Sequence, residues 1–189
     1  MVMSAEIQAR VSRMSVYPIE EYDAYVSGHP KATPYHQSGW LQATERAYHH
    51  TGWLVSVHRK GDLCGILPLV EVKPPVGSKS LVSLPFCDLG GPLADDDDVR
   101  YLLVAEAKAL AGTNKSRLLE IREGGEALDE VQTDSASGKV RMLCTLPENS
   151  DALFKSYKPK LRSQIRKAEK NGLRADIRTD IEAVDLFYQ

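Results

Sequence analysis

The chain has 189 residues, 42% hydrophobic and 26% charged, with a formal net charge of -2 and a pI near 6.2. Those values fit one ordinary globular domain, or one domain and the start of a second, and exclude a globally cationic binder of nucleic acid or membrane. Cys64, Cys87 and Cys144 are three and widely spaced, a pattern of buried reduced thiols and not of a disulfide framework.

Residues 1–15 lack periodicity and read as a flexible lead-in without the apolar core of a signal peptide. Pro18 to Gly28 reads as a helix with Ile19, Tyr22 and Val26 inward. Gly39 to His50 reads as a second, carrying Trp40 and Leu41. Trp53–Arg59 alternates, Leu63–Val72 is a run of strand formers, and Lys60-Gly61-Asp62 between them predicts a hairpin. Leu81 to Leu84 is a third strand, and Pro85 to Pro92, with its Gly-Gly-Pro, is irregular.

The acidic run Asp95–Asp98 precedes a helix from Val99 to Ala111 with Leu102, Leu103, Ala105 and Leu110 inward. Its plain reading is a solvated cap favoured by the helix dipole. Arg117–Arg122 and Lys139–Leu146 read as strands, Gly124–Asp134 as loop, and Asp151–Tyr157 as a helix leading into a strongly basic one. Leu173–Arg178 reads as a strand and Asp180–Gln189 as the opening of another helix. The mixture predicts an α/β fold with a mixed sheet. The apolar runs fall far below the roughly 18 residues of a membrane span, and a cytoplasmic location is expected. The ending inside a helix suggests a fragment of something larger.

The basic helix is the strongest local signal. Between Lys155 and Arg178 stand nine Lys/Arg against two Asp/Glu. Pro159 starts it and Asn171-Gly172 ends it. Leu161, Ile165 and Ala168 form one apolar stripe, and Lys160, Arg162, Arg166, Lys167 and Lys170 crowd the opposite arc. Arg162 and Arg166, one turn apart, could grip a phosphate or pyrophosphate. A solvated face beside a core stripe is the plainer reading, made less comfortable by repulsion among five cations.

A second candidate is the loop from Leu84 to Leu93, where Gly90 and Gly91 allow close backbone approach to a ligand and Asp88 supplies a carboxylate. A plain tight turn is the alternative, and for Cys87 a structural thiol outweighs a nucleophile. Third is His36-Gln-Ser-Gly-Trp40, where an imidazole and an indole at a helix start could line a pocket, against Trp40 as a core anchor. The histidines make no His-x-x-x-His pair, and neither Cys-x-x-Cys nor a Walker loop is present. No metal is expected.

In order, the chain carries His36-Gln-Ser-x-Trp40, Gly65-Ile-Leu-Pro-Leu69, Leu81-Val-Ser-Leu-Pro-Phe86 with Asp88-x-Gly-Gly-Pro92, Leu118-Leu-Glu-Ile-Arg122 and Arg162-x-x-Ile-Arg-Lys-Ala-Glu-Lys-x-Gly-Leu173. That succession resembles the FemAB-like proteins of the acyl-CoA N-acyltransferase (GNAT) superfamily, in the branch associated with exopolysaccharide and PEP-CTERM/exosortase systems. The resemblance implies a GNAT-like, mostly antiparallel mixed sheet flanked by helices. It implies a first module over residues 16–150, with residues 151–189 holding the basic helix and the start of a truncated second module.

The activity implied is transfer of an acyl or aminoacyl group to an amine of a cell-envelope or exopolysaccharide precursor. Acyl-CoA or aminoacyl-tRNA would be the donor, and no cofactor would be tightly held. The partners implied are a small-molecule or lipid-linked precursor and the second module, with nucleic acid only as donor tRNA. Arg162, Arg166, Lys167 and Lys170 would hold substrate phosphates, Asp88, Gly90, Gly91 and Trp40 would line the groove, and His36 would be a weak candidate base. The chain departs from the pattern in lacking both the coiled-coil insertion of some tRNA-using members and the pyrophosphate loop of active acetyltransferases. The competing reading is a non-catalytic GNAT-like binding or scaffold module.

Overall fold

The computed structural model describes residues 7–74, 76–123 and 144–188. The chain divides into two compact units, Met1–Thr133 and Asp134–Gln189. The division falls before the 150/151 boundary expected from the sequence.

The first unit is a mixed α/β fold around a six-stranded sheet of order β1-β2-β3-β4-β6, with β5 also paired to β3. Its strands are β1 (Ile7–Arg13), β2 (Thr51–Arg59), β3 (Asp62–Val72), β4 (Ser80–Val82), β5 (Leu93–Ala94) and β6 (Leu118–Glu120). Every pairing is antiparallel except β4 with β6. The expected β2–β3 hairpin is present, turning at Lys60 and Gly61, both left-handed. Pro68, opposite Leu54, lies between the stretches of β3 that pair with β5 and with β4. Among the described residues that edge of β3 has no partner there, the place where a sheet accommodates a residue without an N–H.

Side chains alternate across β2 and β3. One set, including Val55, Val57, Leu67 and Leu69, packs under α3 (Asp97–Thr113) through Val99, Leu103, Ala107 and Leu110. The other, including Leu54, Ile66 and Val70, joins Tyr22 and Val26 of α1 (Ile19–Gly28) and Leu41 of α2 (Ser38–Tyr48). Ala105, expected inward, is exposed, because the buried stripe of α3 runs through 99, 103, 107 and 110. The acidic run is a cap: the Asp96 side chain accepts from Val99 N–H at 3.0 Å and pairs with Arg59 at 2.7 Å.

Two expectations for the sheet are corrected. The lead-in is ordered from Ile7 as an edge strand on β2. Its alternation is shallow, with Ile7 and Val11 36–37% exposed, so strand pairing and not hydrophobicity holds it. The third strand stops at Val82, because Leu84 enters the left-handed region at φ 44°.

The second unit holds α4 (Ser150–Ser156), α5 (Pro159–Lys170) and α6 (Ile181–Phe187). Leu173–Arg178, expected as a strand, is irregular and exposed throughout; a strand needs a neighbour, and no described segment pairs with it. Of the expected strand Lys139–Leu146, residues 139–143 lie outside the described residues and 144–146 are irregular, and the loop 124–134 lies outside them too. Ile181, Leu186 and Phe187 are 74%, 59% and 82% exposed, an apolar surface on this unit. No described helix is long and apolar enough to cross a membrane.

The approach of α3 to β3 depends on Gly65, where an added Cβ would stand 2.3 Å from Val99 Cγ1 and 3.1 Å from Leu103 Cδ1. Gly65→Ala is expected to destabilise the unit by about 1–3 kcal/mol through overpacking. Gly28→Ala, with open space at its Cβ, should be near neutral. Urea denaturation of both variants reads the difference.

Candidate functional site

Strands β4 and β6 run side by side and parallel for three residues, then part. Ser83 N–H still donates to Glu120 O at 2.8 Å, and the Ser83 hydroxyl accepts from Arg122 N–H at 2.8 Å. Beyond that point the chain enters the 84–92 loop, at the carboxyl ends of the parallel pair, where open α/β sheets place their ligands.

The loop is clipped to its surroundings from two sides. From β6, Arg122 O accepts Gly90 N–H at 2.9 Å, and the Arg122 guanidinium donates to Cys87 O at 2.9 Å and to Glu120 at 2.6 Å. From the α2 side, His36 Nε2 meets Gly91 O at 3.0 Å, Trp40 Nε1 donates to Pro85 O at 3.4 Å, and Tyr48 stacks on Phe86 with centroids 4.6 Å apart. The two glycines serve this packing. A Cβ on Gly90 would meet Leu84 Cβ at 2.5 Å, and one on Gly91 would meet Glu123 Cβ at 3.0 Å. Their close approach is to the protein itself.

His36 is almost fully buried, 3% exposed. Thr33 N–H donates to its Nδ1 at 3.1 Å. A backbone N–H only donates, so Nδ1 is the acceptor and the proton sits on Nε2, which donates to Gly91 O. Thr33 Oγ1 adds a contact to Nδ1 at 2.9 Å, and Tyr22 OH donates to His36 O at 2.7 Å. Burial holds the imidazole below its ordinary pKa, against the opposing pull of Gly91 O. The ring is a neutral clasp between α2 and the loop, with no lone pair left free to take a proton.

Cys87 is similar: its Sγ lies 2.7 Å from Leu84 O and 3.3 Å from Leu89 O, two acceptors for its one S–H, and burial pushes its pKa up. A thiol so held is structural. Cys64 is also buried, whereas Cys144 is exposed, contrary to the expectation of three buried thiols. Trp40 is half-buried and edge-on to Tyr35 at 4.9 Å, an anchor that also reaches the loop. Asp88 is exposed, with no partner among the described residues.

Arg162, Arg166, Lys167 and Lys170 share one helix, α5 of the second unit. The expected burial contrast on that helix is weaker than its pattern suggests. No residue of α5 is buried, Leu161 is 42% exposed, and Ile165 and Ala168 are half-buried. Arg162 is half-buried too, and its Nε is shielded without a hydrogen-bond partner among the described residues. Arg166 lies over the Phe154 ring at 5.3 Å, while Lys167 and Lys170 are exposed. The reason is that a helix packs on whatever neighbours exist, and the described residues of this unit give α5 little to bury its stripe against.

Sequence reasoning quoted Phe86 and Arg122 within motifs but gave neither a role, and it did not pair Phe86 with Tyr48 or Glu123 with Arg100. Glu123 holds Arg100 through two hydrogen bonds of 2.8 and 2.7 Å. Phe86 follows a proline in a loop and fits neither strand nor helix periodicity, the one sequence signal that could have singled it out.

No family model matches the chain. It is 25% identical over 193 aligned positions to the Lipid II:glycine glycyltransferase of Staphylococcus aureus (strain bovine RF122 / ET3-1), a match taking in 89% of this chain and 44% of that protein. The chain thus spans less than half of that relative's length. Among solved structures, the ribosomal-protein-alanine N-acetyltransferase of Brucella melitensis biovar Abortus 2308 aligns over 75% of this chain and 100% of that one, with TM-score 0.46 and 11% identity.

If His36 is the clasp, His36→Phe leaves Gly91 O and Thr33 N–H unpaired and should cost about 1–3 kcal/mol. The folded pKa lies below the unfolded value of 6.5, so the unfolded chain binds the extra proton. This contribution to stability is present above pH 6.5 and lost as pH falls through the folded pKa. Denaturation at stepped pH should show that loss in the parent and not in His36→Phe. A thiol reagent should label Cys144 rapidly, and Cys64 and Cys87 only on unfolding.

Proposed function

We propose that this chain is part of an N-acyl-transferring protein that moves an acyl or aminoacyl group onto an amine of an envelope or exopolysaccharide precursor. The observation that carries this reading is the 25% identity to a Lipid II:glycine glycyltransferase across 89% of the chain. The donor proposed is aminoacyl-tRNA or acyl-CoA, the acceptor lipid-linked or nucleotide-linked, and the architecture GNAT-like, with a cytoplasmic location.

In such a reaction the acceptor nitrogen attacks the donor carbonyl, loses a proton and expels the donor's oxygen or sulfur. Positioning and oxyanion stabilisation supply most of the catalysis. Loop 84–92 is suited to positioning, because it is fixed from two sides. His36 is assigned to holding that loop and not to proton transfer. The cations of α5 are assigned to the precursor's phosphates. The engaged nitrogens of His36 and the engaged thiol of Cys87 favour a second reading, a non-catalytic binding module. It predicts precursor binding with no turnover of any donor.

Replacing both Arg162 and Arg166 with Gln tests the phosphate assignment. Charge-assisted bonds of about 1.5–3 kcal/mol each would make the pair worth roughly 3 kcal/mol, about a hundredfold in affinity. Calorimetric titration with a short lipid pyrophosphate at two salt concentrations should show that loss, with the chain still folded by circular dichroism and stability lowered by no more than about 1 kcal/mol through the lost contact of Arg166 with Phe154. An unchanged dissociation constant retires the assignment.

A further inference from the structure

Phe86 is out of place by every local rule. Its φ of 68° is in the left-handed region, and Leu84, two residues before, is there too at 44°. With Pro85 between them, Phe86 takes the turn position that normally calls for glycine. A bulky residue in that region is a strained outlier, and such strain gathers where a ligand is held. Burial gives little in return, because Phe86 is 55% exposed. One of its faces is covered by Tyr48, itself 55% exposed and stacked in turn on His50 at 5.8 Å. The exposure of Phe86 is therefore of its other face and its edge. Two residues on, in the same clipped loop, Asp88 is an exposed carboxylate without a partner among the described residues.

We propose that Phe86, Tyr48 and Asp88 form a binding shelf for a primary ammonium group, the amine-bearing arm of the acceptor. Aromatic faces carry negative quadrupole density and attract cations, and a carboxylate supplies the counter-charge and a hydrogen-bond acceptor. A nucleobase would also stack on the rings, but it brings phosphates that the Asp88 carboxylate repels. The aromatic at a glycine position follows: the turn aims the ring outward, and the rigid clasp around it holds the ring there. This inference rests on the transfer reading, for which it names the seat of the acceptor amine.

Direct binding tests it, with no donor and no turnover. The whole 189-residue chain is titrated with Nα-acetyl-lysine amide and followed by NMR of labelled phenylalanine and tyrosine rings. Its Nζ-acetylated form and adenosine monophosphate serve as comparisons. The free amine should shift the Phe86 and Tyr48 resonances saturably, and the acetylated form should bind at least about tenfold more weakly. Asp88→Asn and Phe86→Gly should each weaken amine binding about tenfold. Phe86→Gly should keep or raise the melting temperature, because glycine relieves the turn; an aromatic kept only for packing would lower it.

Equal binding of the free and acetylated amines, absence of saturable shifts with the amine, or preferential shifts with adenosine monophosphate would each overturn the shelf. If the lipid-pyrophosphate titration of the same sample succeeds while the amine fails, the shelf alone falls. If the amine binds and the pyrophosphate does not, the phosphate assignment falls and the shelf stands.

Discussion

The first unit depends on the β2–β3 hairpin and on its burial from both faces. From Leu54 to His58 and from Cys64 to Glu71 every residue is buried, an arrangement open only to strands sandwiched between layers. Everything else attaches to this pair. β1 extends it on one edge, β4 and β5 share the other, α1 and α2 cover one face, and α3 covers the other. Burial of polar groups inside it is handled locally. Glu71, 3% exposed, is met by Lys73, Lys79 and the Asn114 amide; burial alone would raise its pKa, and the two ammonium groups hold it below the usual carboxylate value.

The loop at the end of β4 is where this rigid sheet becomes a surface with chemistry. Three rings from one stretch of chain, His36, Trp40 and Tyr48, hold it on one side, and the backbone and guanidinium of Arg122 hold it on the other. The residues with the greatest chemical promise, His36 and Cys87, are consumed in that holding. The exposed residues, Phe86 and Asp88, are presented by it. Buried polar groups are hydrogen-bonded because the alternative is costly, so a reactive residue type deep in a loop is first a candidate for structure. The outward-facing residues of a fixed loop are the candidates for contact.

The second unit follows a different logic. Its cations repel one another on one arc of α5 while Leu161, Leu173 and Ile177 stay exposed. Helix formation here owes more to start and stop signals than to burial: Pro159 opens α5, and Gly172 closes it at φ 76°. A surface combining positive charge with uncovered apolar side chains suits a ligand that has phosphates and a hydrocarbon part, the chemistry proposed above for the precursor.

Local patterns in the sequence determined most of the fold. The periodicity of α1, α2 and α3, the Lys60–Asp62 turn, the Asp96 cap and the irregular Pro85–Pro92 segment all act between residues a few positions apart, so they are readable along the chain. The resemblance motifs likewise fall in the 84–92 loop and at the start of α2. Tertiary structure decided the rest, because the deciding contacts join distant residues. Pairing with β2 orders the weakly patterned β1, and the lack of a neighbour leaves the well-patterned Leu173–Arg178 irregular. A glycine pair that looked open to a ligand is filled by Leu84 and Glu123, and a histidine that looked like a base has both nitrogens bound, one of them to a carbonyl 55 residues away. Residue type sets what a side chain can do; the partner it meets in space settles which of those things it does.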